Sequence, residues 1–245
     1  MPEQAWFTSF HKSFSHAILL YNQGDIFGGC MEITWYGHSC FRLTERGMAA
    51  VVTDPFDHRV TGYEPLKLRG DIVTISHDSP SHNYVDGVSG FEHTLTGPGE
   101  FEIGGVFITG IQTNHRNGKE DRPRNTLFVF EFNGINVAHL GDLDHVPTQA
   151  EVEAMGSVHV ALVPVGDGTS LSAAKAAEVI SLFEPNIVIP MHYAAPDCTI
   201  KLDPLSKFLK EMGLAEADTV PSLKISGTSG LSEETRVVIL DYKHA

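Results

Sequence analysis

Basic residues are scarce in this sequence. Its 245 residues include 17 lysines and arginines against 31 aspartates and glutamates, which gives a formal net charge of -14. Binding to nucleic acids or to anionic membrane surfaces depends on clustered lysine and arginine. The composition therefore argues against a nucleic-acid partner and against a membrane partner.

Cysteine is also scarce, and long apolar runs are missing. The three cysteines, Cys30, Cys40 and Cys198, are odd in number and widely spaced, which favours a reduced cytoplasm over a disulfide framework. No apolar run approaches the roughly 20 residues of a membrane span. The hydrophobic share of 42% is ordinary for a protein with a proper core. We therefore expect a cytoplasmic globular protein, either monomeric or a homo-oligomer.

The first thirty residues differ from the rest of the chain. Their apolar segment, residues 17–21, is too short for a signal-peptide core of roughly 7–15 residues. Met31 then directly precedes the first strong strand pattern. We predict an N-terminal extension over residues 1–30 and a single domain over residues 31–245. The extension is a flexible addition, the product of a translation start placed too far upstream, or a short helix over residues 9–21 that docks on the domain or on a partner subunit.

Strand patterns dominate the first half of the domain, and strands alternate with helices in the second half. Many strands followed by β–α–β units predict two packed sheets with helices outside. The expected strands cover residues 33–43 (two strands around a turn), 49–53, 72–75, 95–113 (a hairpin), 126–132 and 135–140 (a hairpin around Asn133-Gly134), 158–163, 186–190, 223–226 and 236–242. The expected helices cover residues 148–155, with Thr148 as the N-cap, 172–183 and 204–212.

Residues 71–83 carry the most distinctive pattern, Asp-Ile-Val-Thr-Ile-Ser-His-Asp-Ser-Pro-Ser-His-Asn. The β-branched run at its start predicts a buried strand. Small and polar residues then end the strand, so His77 and His82 lie on the loop that follows. Open α/β sheets commonly place their chemistry at such strand ends.

Three further candidate ligands follow apolar strands in the same way. They are His115, Asp142 and His192, all remote from His77 in sequence. Strand ends from distant segments can converge at one sheet edge, so these side chains are candidates for a shared site. Imidazole nitrogens and carboxylate oxygens suit Zn²⁺ or Mn²⁺.

The loop resembles the His-x-His-x-Asp-His signature of the metallo-β-lactamase-fold hydrolases. His77 matches its first position and His82 its last, but Ser79 stands in place of the second histidine and Ser81 in place of the aspartate. The order of motifs along the chain is similar to one branch of that family, the Zn-dependent hydrolases that include L-ascorbate-6-phosphate lactonases. The matching motifs are Trp35-Tyr36-Gly37-His38-Ser39, Asp54-Pro55, Gly97-Pro98-Gly99-Glu100, His115, Asp142, His145 and Met191-His192-Tyr193.

The resemblance implies a fold and a ligand set. The fold is an αββα sandwich of two mixed β-sheets flanked by helices. One ion would use His77, the position of Ser79, His115 and Asp142, and the other the position of Ser81, His82, Asp142 and His192. A serine hydroxyl is not a usual zinc ligand. Each ion position therefore lacks one ligand, and we expect one Zn or Mn ion rather than two.

The resemblance also places other residues near the site. Asp142, His38 and His145 are the candidate catalytic residues, and a packing role is the alternative for the two histidines. Thr169 or Ser170 is expected to cap the helix over residues 172–183, whose N-terminus could also attract an anionic substrate.

Three functions remain open from the sequence. The first is a metal-dependent hydrolase of a small-molecule substrate, an anionic ester, lactone or phosphoester. The second is a metal-free binding or regulatory protein without hydrolase activity. The third is an altered enzyme in which Asp78, Asp142 and the histidines perform acid–base chemistry without metal.

Overall fold

The computed structural model describes residues 29–113 and 124–244. The predicted N-terminal extension, apart from Gly29 and Cys30, and the candidate ligand His115 lie outside the described residues. In chain order the strands are β1 (Met31–Trp35), β2 (Phe41–Thr44), β3 (Val51–Thr53), β4 (Leu68–Arg69), β5 (Ile72–Thr74), β6 (Val88–Ser89), β7 (His93–Leu95), β8 (Gly99–Ile103), β9 (Val106–Gln112), β10 (Thr126–Phe132), β11 (Ile135–His139), β12 (Val160–Pro164), β13 (Ile187–Met191), β14 (Asp218–Val220), β15 (Leu223–Ile225) and β16 (Arg236–Leu240). The helices are α1 (His58–Thr61), α2 (Gln149–Met155), α3 (Ala173–Phe183) and α4 (Leu205–Glu211), with 3-10 turns at Val85–Gly87 and Thr228–Gly230.

Six strands form the first sheet, in the order β15-β1-β2-β3-β5-β7. Its pairs are antiparallel from β15 to β3 and parallel from β3 through β5 to β7. Strand β5 is buried along its whole length, as its β-branched sequence predicts. Its carboxyl end delivers the loop that carries His77 and His82.

Eight strands form the second sheet, in the order β14-β16-β13-β12-β11-β10-β9-β8. The pairs from β14 to β11 are parallel, and those from β11 to β8 are antiparallel. Because β11, β12 and β13 run parallel, their carboxyl ends lie at one edge of the sheet. Asp142, the segment 165–172 and His192 follow those three ends.

The two sheets pack their apolar faces together, and helices lie outside them. Phe41 of the first sheet and Phe128 and Phe130 of the second are fully buried in one hydrophobic core. Helix α3 buries Ala173, Ala176, Val179 and Ile180, a stripe with helical spacing. This arrangement confirms the predicted αββα sandwich of two mixed sheets. No helix in the described part of the chain combines the length and apolar character that membrane crossing requires.

Helix capping agrees with the sequence in one case and corrects it in another. Thr148 caps α2 and forms a reciprocal capping box with Glu151, as the sequence predicts for its N-cap. Helix α3 is capped by Ser172, so the prediction that Thr169 or Ser170 caps it was wrong. Both hydroxyls are instead directed at the candidate site described below.

The short elements α1, β4, β6 and β14 were not predicted. Helix α1 is a single turn, with Asp57 as its N-cap and Gly62, at φ 87°, as its C-cap. An Asp and a Gly that bracket four residues are a recognisable capping signal. The three strands span only two or three residues each, which is too short for a periodic pattern to register.

Candidate metal centre

Five predicted site residues meet where the edges of the two sheets face each other. His38 comes from the turn between β1 and β2, and His77 and His82 come from residues 76–83, named here the histidine loop. Asp142 follows β11, and His192 follows β13 directly. Potential ligand atoms of His38, His82 and His192 lie within 4.8 Å of one another, as do those of His77, His82 and Asp142.

Asp142 lies at the centre of this cluster. Its Oδ1 is 3.1 Å from Nε2 of His192 and 3.5 Å from Nε2 of His82. Its Oδ2 is 3.8 Å from Nε2 of His77. The side chains of His82 and His192 are almost fully buried, and that of His77 is 10% exposed. His77 therefore marks the side of the cluster that reaches solvent.

The backbone around the cluster is held in uncommon conformations. His38, Asp54 and His192 have φ values of 50°, 39° and 53°, in the left-handed region that residues other than glycine seldom adopt. Such conformations persist where the surrounding structure enforces them, and they concentrate at functional sites. A glycine is needed at position 166, because a Cβ there would collide with the His192 carbonyl oxygen.

Hydrogen bonds to Asp54 determine which ring nitrogens of the histidine loop carry protons. The Asp54 carboxylate accepts hydrogen bonds from the Ser76 N–H at 2.7 Å and the Ser76 Oγ–H at 2.6 Å. Nδ1 of His82 lies 2.8 Å from the same carboxylate, so this nitrogen carries the proton. The Ser76 hydroxyl has given its only proton to Asp54, so it accepts from Nδ1 of His77 at 3.0 Å. Both rings therefore present an unprotonated Nε2 when neutral.

A second hydroxyl assigns the same tautomer to His192. The Ser170 Oγ–H donates to the Asp167 carbonyl oxygen at 3.3 Å. It therefore accepts from Nδ1 of His192 at 3.2 Å, which leaves Nε2 of His192 unprotonated. Such a contact to the far nitrogen is the usual way in which proteins orient metal-binding imidazoles.

Asp142 is held by one of its two carboxylate oxygens. The Thr169 hydroxyl donates to Oδ2 at 2.6 Å, and the Asp142 N–H donates to Oδ1 of Asn125 at 2.9 Å. Oδ1 of Asp142 is buried and accepts no hydrogen bond. This oxygen and the Nε2 atoms of His82 and His192 thus bring lone pairs together, and no hydrogen atom of the neutral rings lies between them.

Burial and charge set the protonation states in the cluster. Burial lowers the pKa of His77 to about 4 and also lowers the pKa of His192 and of His38. Burial alone would raise the pKa of Asp142, but the facing imidazoles, His192 foremost, hold it below its ordinary value. Burial alone would lower the pKa of His82, but Asp142 and Asp54 raise it. The cluster therefore combines an ionised carboxylate with mostly neutral imidazoles, the states that bind metal.

The other predicted site residues make different contacts. His145 lies at the start of α2, with Nδ1 2.9 Å from Oδ1 of Asp144 and Nε2 3.6 Å from Oε2 of Glu151. Ser79 and Ser81, at the positions of the two missing family ligands, are hydrogen-bonded to each other at 2.9 Å. Asp78 is exposed and accepts a hydrogen bond from Asn83, which does not suit the acid–base role considered for it.

The sequence left several functional contacts unassigned. Asp54 stood only within a matching Asp-Pro motif, and nothing in the pattern indicated that it orients His82. Ser76 and Ser170 orient His77 and His192, and Thr169 holds Asp142. A serine directly before a candidate ligand, as in Ser76-His77, was the one available signal.

The sequence and the fold of this chain are similar to those of known proteins. Residues 32–192 match the family model described as a β-lactamase superfamily domain. A crystal structure from Thermotoga maritima, described as a proposed Zn-dependent hydrolase of the metallo-β-lactamase superfamily, is 36% identical, covers 86% of this chain and 98% of its own, and superposes with a TM-score of 0.67. Proteins named UPF0173 metal-dependent hydrolase are also similar. The one from Thermoplasma acidophilum is 26% identical over 71% of this chain and 88% of its own, and the one from Methanosarcina mazei is 25% identical over 81% and 97%.

Proposed function

Because this chain belongs to the metallo-β-lactamase superfamily, we propose that it is a metal-dependent hydrolase in which one Zn²⁺ or Mn²⁺ ion binds at His82, Asp142 and His192. Relatives with similar sequences are named metal-dependent hydrolases, which supports the reaction class. His77 lies beside this position, and His115, the remaining ligand implied by the resemblance, lies outside the described residues.

One observation carries the proposal. Oδ1 of Asp142 is buried without a hydrogen-bond donor, and unprotonated nitrogens of His82 and His192 face it at 3.5 and 3.1 Å. Converging lone pairs in a buried site repel one another, and a buried polar atom without a partner costs about 1–3 kcal/mol. A divalent cation satisfies all three atoms together. The donor set, two imidazoles and a carboxylate, is one that Zn²⁺ and Mn²⁺ accept.

The chain's own residues have distinct roles in this mechanism. An ion bound there would lower the pKa of a coordinated water and polarise the bond that this water attacks. Asp54 and Ser170 hold the rings of His82 and His192 in the tautomer that leaves Nε2 free. Thr169 occupies Oδ2 of Asp142, so that Oδ1 is the oxygen left to bind. His77 is neutral near pH 7 and lies at the solvent side, where it can accept a hydrogen bond from water or substrate.

We infer that the substrate is a small anionic ester, lactone or phosphoester. Thr169 and Ser170, which touch Asp142 and His192, lie four and three residues before α3 begins. The N-terminus of this eleven-residue helix is therefore adjacent to the cluster, and helix N-termini favour negative charge. A substrate anion there would be held close to the proposed ion.

One contact favours a second candidate, a metal-free binding or regulatory protein. Ser79 and Ser81 satisfy each other at 2.9 Å, so the histidine loop is stable without ligands at the two positions where the family binds metal. In a metal-free protein, a protonated histidine in place of an ion would balance the negative charge of Asp142. His82, whose pKa is raised, is the ring best suited to that role.

Metal binding and hydrolysis together test the proposal. The purified protein is stripped with a chelator, titrated with Zn²⁺ or Mn²⁺ by calorimetry, and assayed against anionic esters, lactones and phosphoesters. We expect one ion to bind and hydrolysis to depend on it. His93→Ala, which changes an exposed histidine on β7, serves as the control and should bind the ion normally. A wild-type protein that binds neither ion would overturn the proposal in favour of the metal-free candidate.

A further inference from the structure

His38 is the residue in the cluster whose role the proposed function leaves unexplained. Its imidazole is buried, with Nε2 3.2 Å from Nε2 of His82 and its ring centroid 4.2 Å from that of His192. Its Nδ1 is buried and has no hydrogen-bond partner. Burying that nitrogen without a partner costs about 1–3 kcal/mol, a cost that an apolar side chain of similar size would avoid, so a role for Nε2 beyond filling space is needed to explain the imidazole.

The backbone of His38 is fixed so that its ring enters the cluster. The His38 carbonyl oxygen accepts hydrogen bonds from the Trp35 indole N–H at 3.0 Å and from the His192 N–H at 3.1 Å. These bonds enforce the left-handed φ of 50°. The second bond also ties the turn between β1 and β2 to the first residue after β13, so His38 and His192 keep their relative positions.

We propose that His38 is a protein ligand of the metal ion and takes the place of the carboxylate that the chain lacks at Ser81. The inference rests on the proposed function, since it concerns the same ion. Neighbouring ligand atoms in a tetrahedral zinc site, each about 2.0–2.1 Å from the ion, lie about 3.4 Å apart. Three of the six separations among these donors are close to that value, at 3.2 Å for His38 and His82, 3.5 Å for His82 and Asp142, and 3.1 Å for His192 and Asp142. Ligand atoms of His38, His82 and His192 also lie within 4.8 Å of one another.

An imidazole from His38 in place of a carboxylate at position 81 is consistent with the charge of the site. The Ser81 hydroxyl is hydrogen-bonded to the Ser79 hydroxyl, and a serine hydroxyl is a weak metal ligand. An imidazole supplies the missing donor but no negative charge, so a single carboxylate, Asp142, faces the ion. One carboxylate with three imidazoles suits one divalent cation better than two. Ions that accept five or six ligands still leave room for water beside these four donors.

In the metal-free protein the contact between His38 and His82 is a hydrogen bond. Nε2 of His82 is unprotonated when the ring is neutral, so Nε2–H of His38 donates to it across the 3.2 Å contact. Ion binding replaces that hydrogen bond, and the proton of His38 moves from Nε2 to Nδ1, so the ring stays neutral. A histidine that only donated this bond would compete with the ion, and its removal would strengthen metal binding. The two roles therefore predict opposite results.

Zinc titration of two His38 variants decides between them. His38→Asn removes the imidazole while retaining a residue that tolerates left-handed backbone, and His38→Gly opens space that free imidazole can occupy. We expect the affinity of the chelator-stripped protein for Zn²⁺ to fall more than about 10-fold in both variants, since even an outer-shell partner is worth that much. Added imidazole should restore affinity to His38→Gly and leave the wild-type protein unchanged.

The possible outcomes separate this inference from the proposed function. Equal or tighter Zn²⁺ binding by both variants, with no effect of imidazole, would show that His38 is only a hydrogen-bond donor to His82. Failure of the wild-type protein itself to bind Zn²⁺ would overturn the proposed function and the role of His38 together. Thermal unfolding of each metal-free variant checks folding, and if His38→Asn does not fold, the His38→Gly protein with and without imidazole gives the answer. His93→Ala again provides the matched surface control.

Discussion

The histidine loop and the segments after β11 and β13 face each other across the candidate site, and they differ in which of their donors are free. In the histidine loop, Ser79 and Ser81 are bonded to each other and two histidines remain. On the opposite side, Asp142 and His192 are both in place and Oδ1 of Asp142 has no donor. The eight-stranded sheet therefore presents a buried carboxylate oxygen without a hydrogen-bond donor, whereas two hydroxyls in the loop of the six-stranded sheet satisfy each other.

Hydrogen bonds that orient the histidine rings are nevertheless present both in the histidine loop and after β13. Ser76 sets the tautomer of His77, and Ser170 sets that of His192. A loop that had lost its function altogether would not need Asp54 to orient His82 from a strained backbone. If the proposed function is correct, this comparison favours one ion position at His82, Asp142 and His192 over a second one around His77.

The largest effect should follow from Asp142→Asn. This change keeps the shape of the side chain and removes its charge, and Asp142 is the carboxylate that lies within 3.8 Å of His77 on one side and 3.1 Å from His192 on the other. We expect Zn²⁺ affinity to fall by more than the roughly 10–100-fold that loss of an outer-shell partner costs. Calorimetric titration measures it, with Asp78→Asn on the exposed side of the histidine loop as the control. Unchanged affinity in Asp142→Asn would show that the convergent site is wrong.

The two sides can be compared directly with His192→Ala and His77→Ala. Nε2 of His192 is 3.1 Å from Asp142, whereas that of His77 is 3.8 Å away and nearer to solvent. We expect the His192 variant to lose at least about 10-fold more Zn²⁺ affinity than the His77 variant. The same titration, run on both proteins under one set of conditions, gives the ratio. A larger loss in His77→Ala would place the ion on the other side of Asp142.

The weakened side should be repairable. Replacing Ser79 by His and Ser81 by Asp restores the family loop, and the aspartate adds the negative charge that a second cation needs. We expect bound metal to rise from one ion towards two, because β5 fixes the start of the loop and Asp54 already orients His82. Elemental analysis of both proteins after identical metal loading tests this. An unchanged metal content would mean that the loop has lost the family's geometry.

Much of the fold could be predicted because its signals are local. Buried β-branched runs such as Ile72–Thr74, the Asn133-Gly134 hairpin turn and the Thr148 cap depend on neighbouring residues only. The two packed sheets and the candidate ligands followed from the order of strands and helices and from the polar residues at strand ends. The resemblance supplied the named fold and the assignment of ligands to ions, and the family match confirms the fold. Strands β4, β6 and β14 contain no two adjacent apolar residues, so they gave no run to detect.

The orienting contacts of the site could not be predicted in the same way. Asp54 and His82 are separated by 28 residues, and Ser170 and His192 by 22. Their contacts depend on how strands pair across a sheet and not on local sequence. Thr169 shows the limit clearly, because its sequence suggested a helix cap and its position in the fold made it a partner of Asp142.

Acidification of the metal-free protein tests the cluster without any ion, and the sign of its effect on stability follows from the buried histidines. The pKa values of His38, His77 and His192 are lowered by burial, that of His77 to about 4, and only His82 in the cluster is raised. Between pH 6.5 and about 4 the unfolded chain therefore binds more protons at these rings than the folded chain does. Stability contributed by a depressed pKa is present above the unfolded value and is lost as the pH falls.

We accordingly expect the free energy of unfolding to decrease from pH 7 to pH 5, by about 1.4 kcal/mol per pH unit for each net proton. His82 works in the opposite direction, because its raised pKa contributes stability that is lost as the pH rises, so it offsets one of the three rings. Urea unfolding in the presence of a chelator measures the slope. His77→Gln should reduce that slope, since it removes one titrating ring from the side nearest solvent. Stability that stayed constant or increased on acidification would mean that the cluster is protonated in the folded protein, and that its lone pairs are filled by protons where we place an ion.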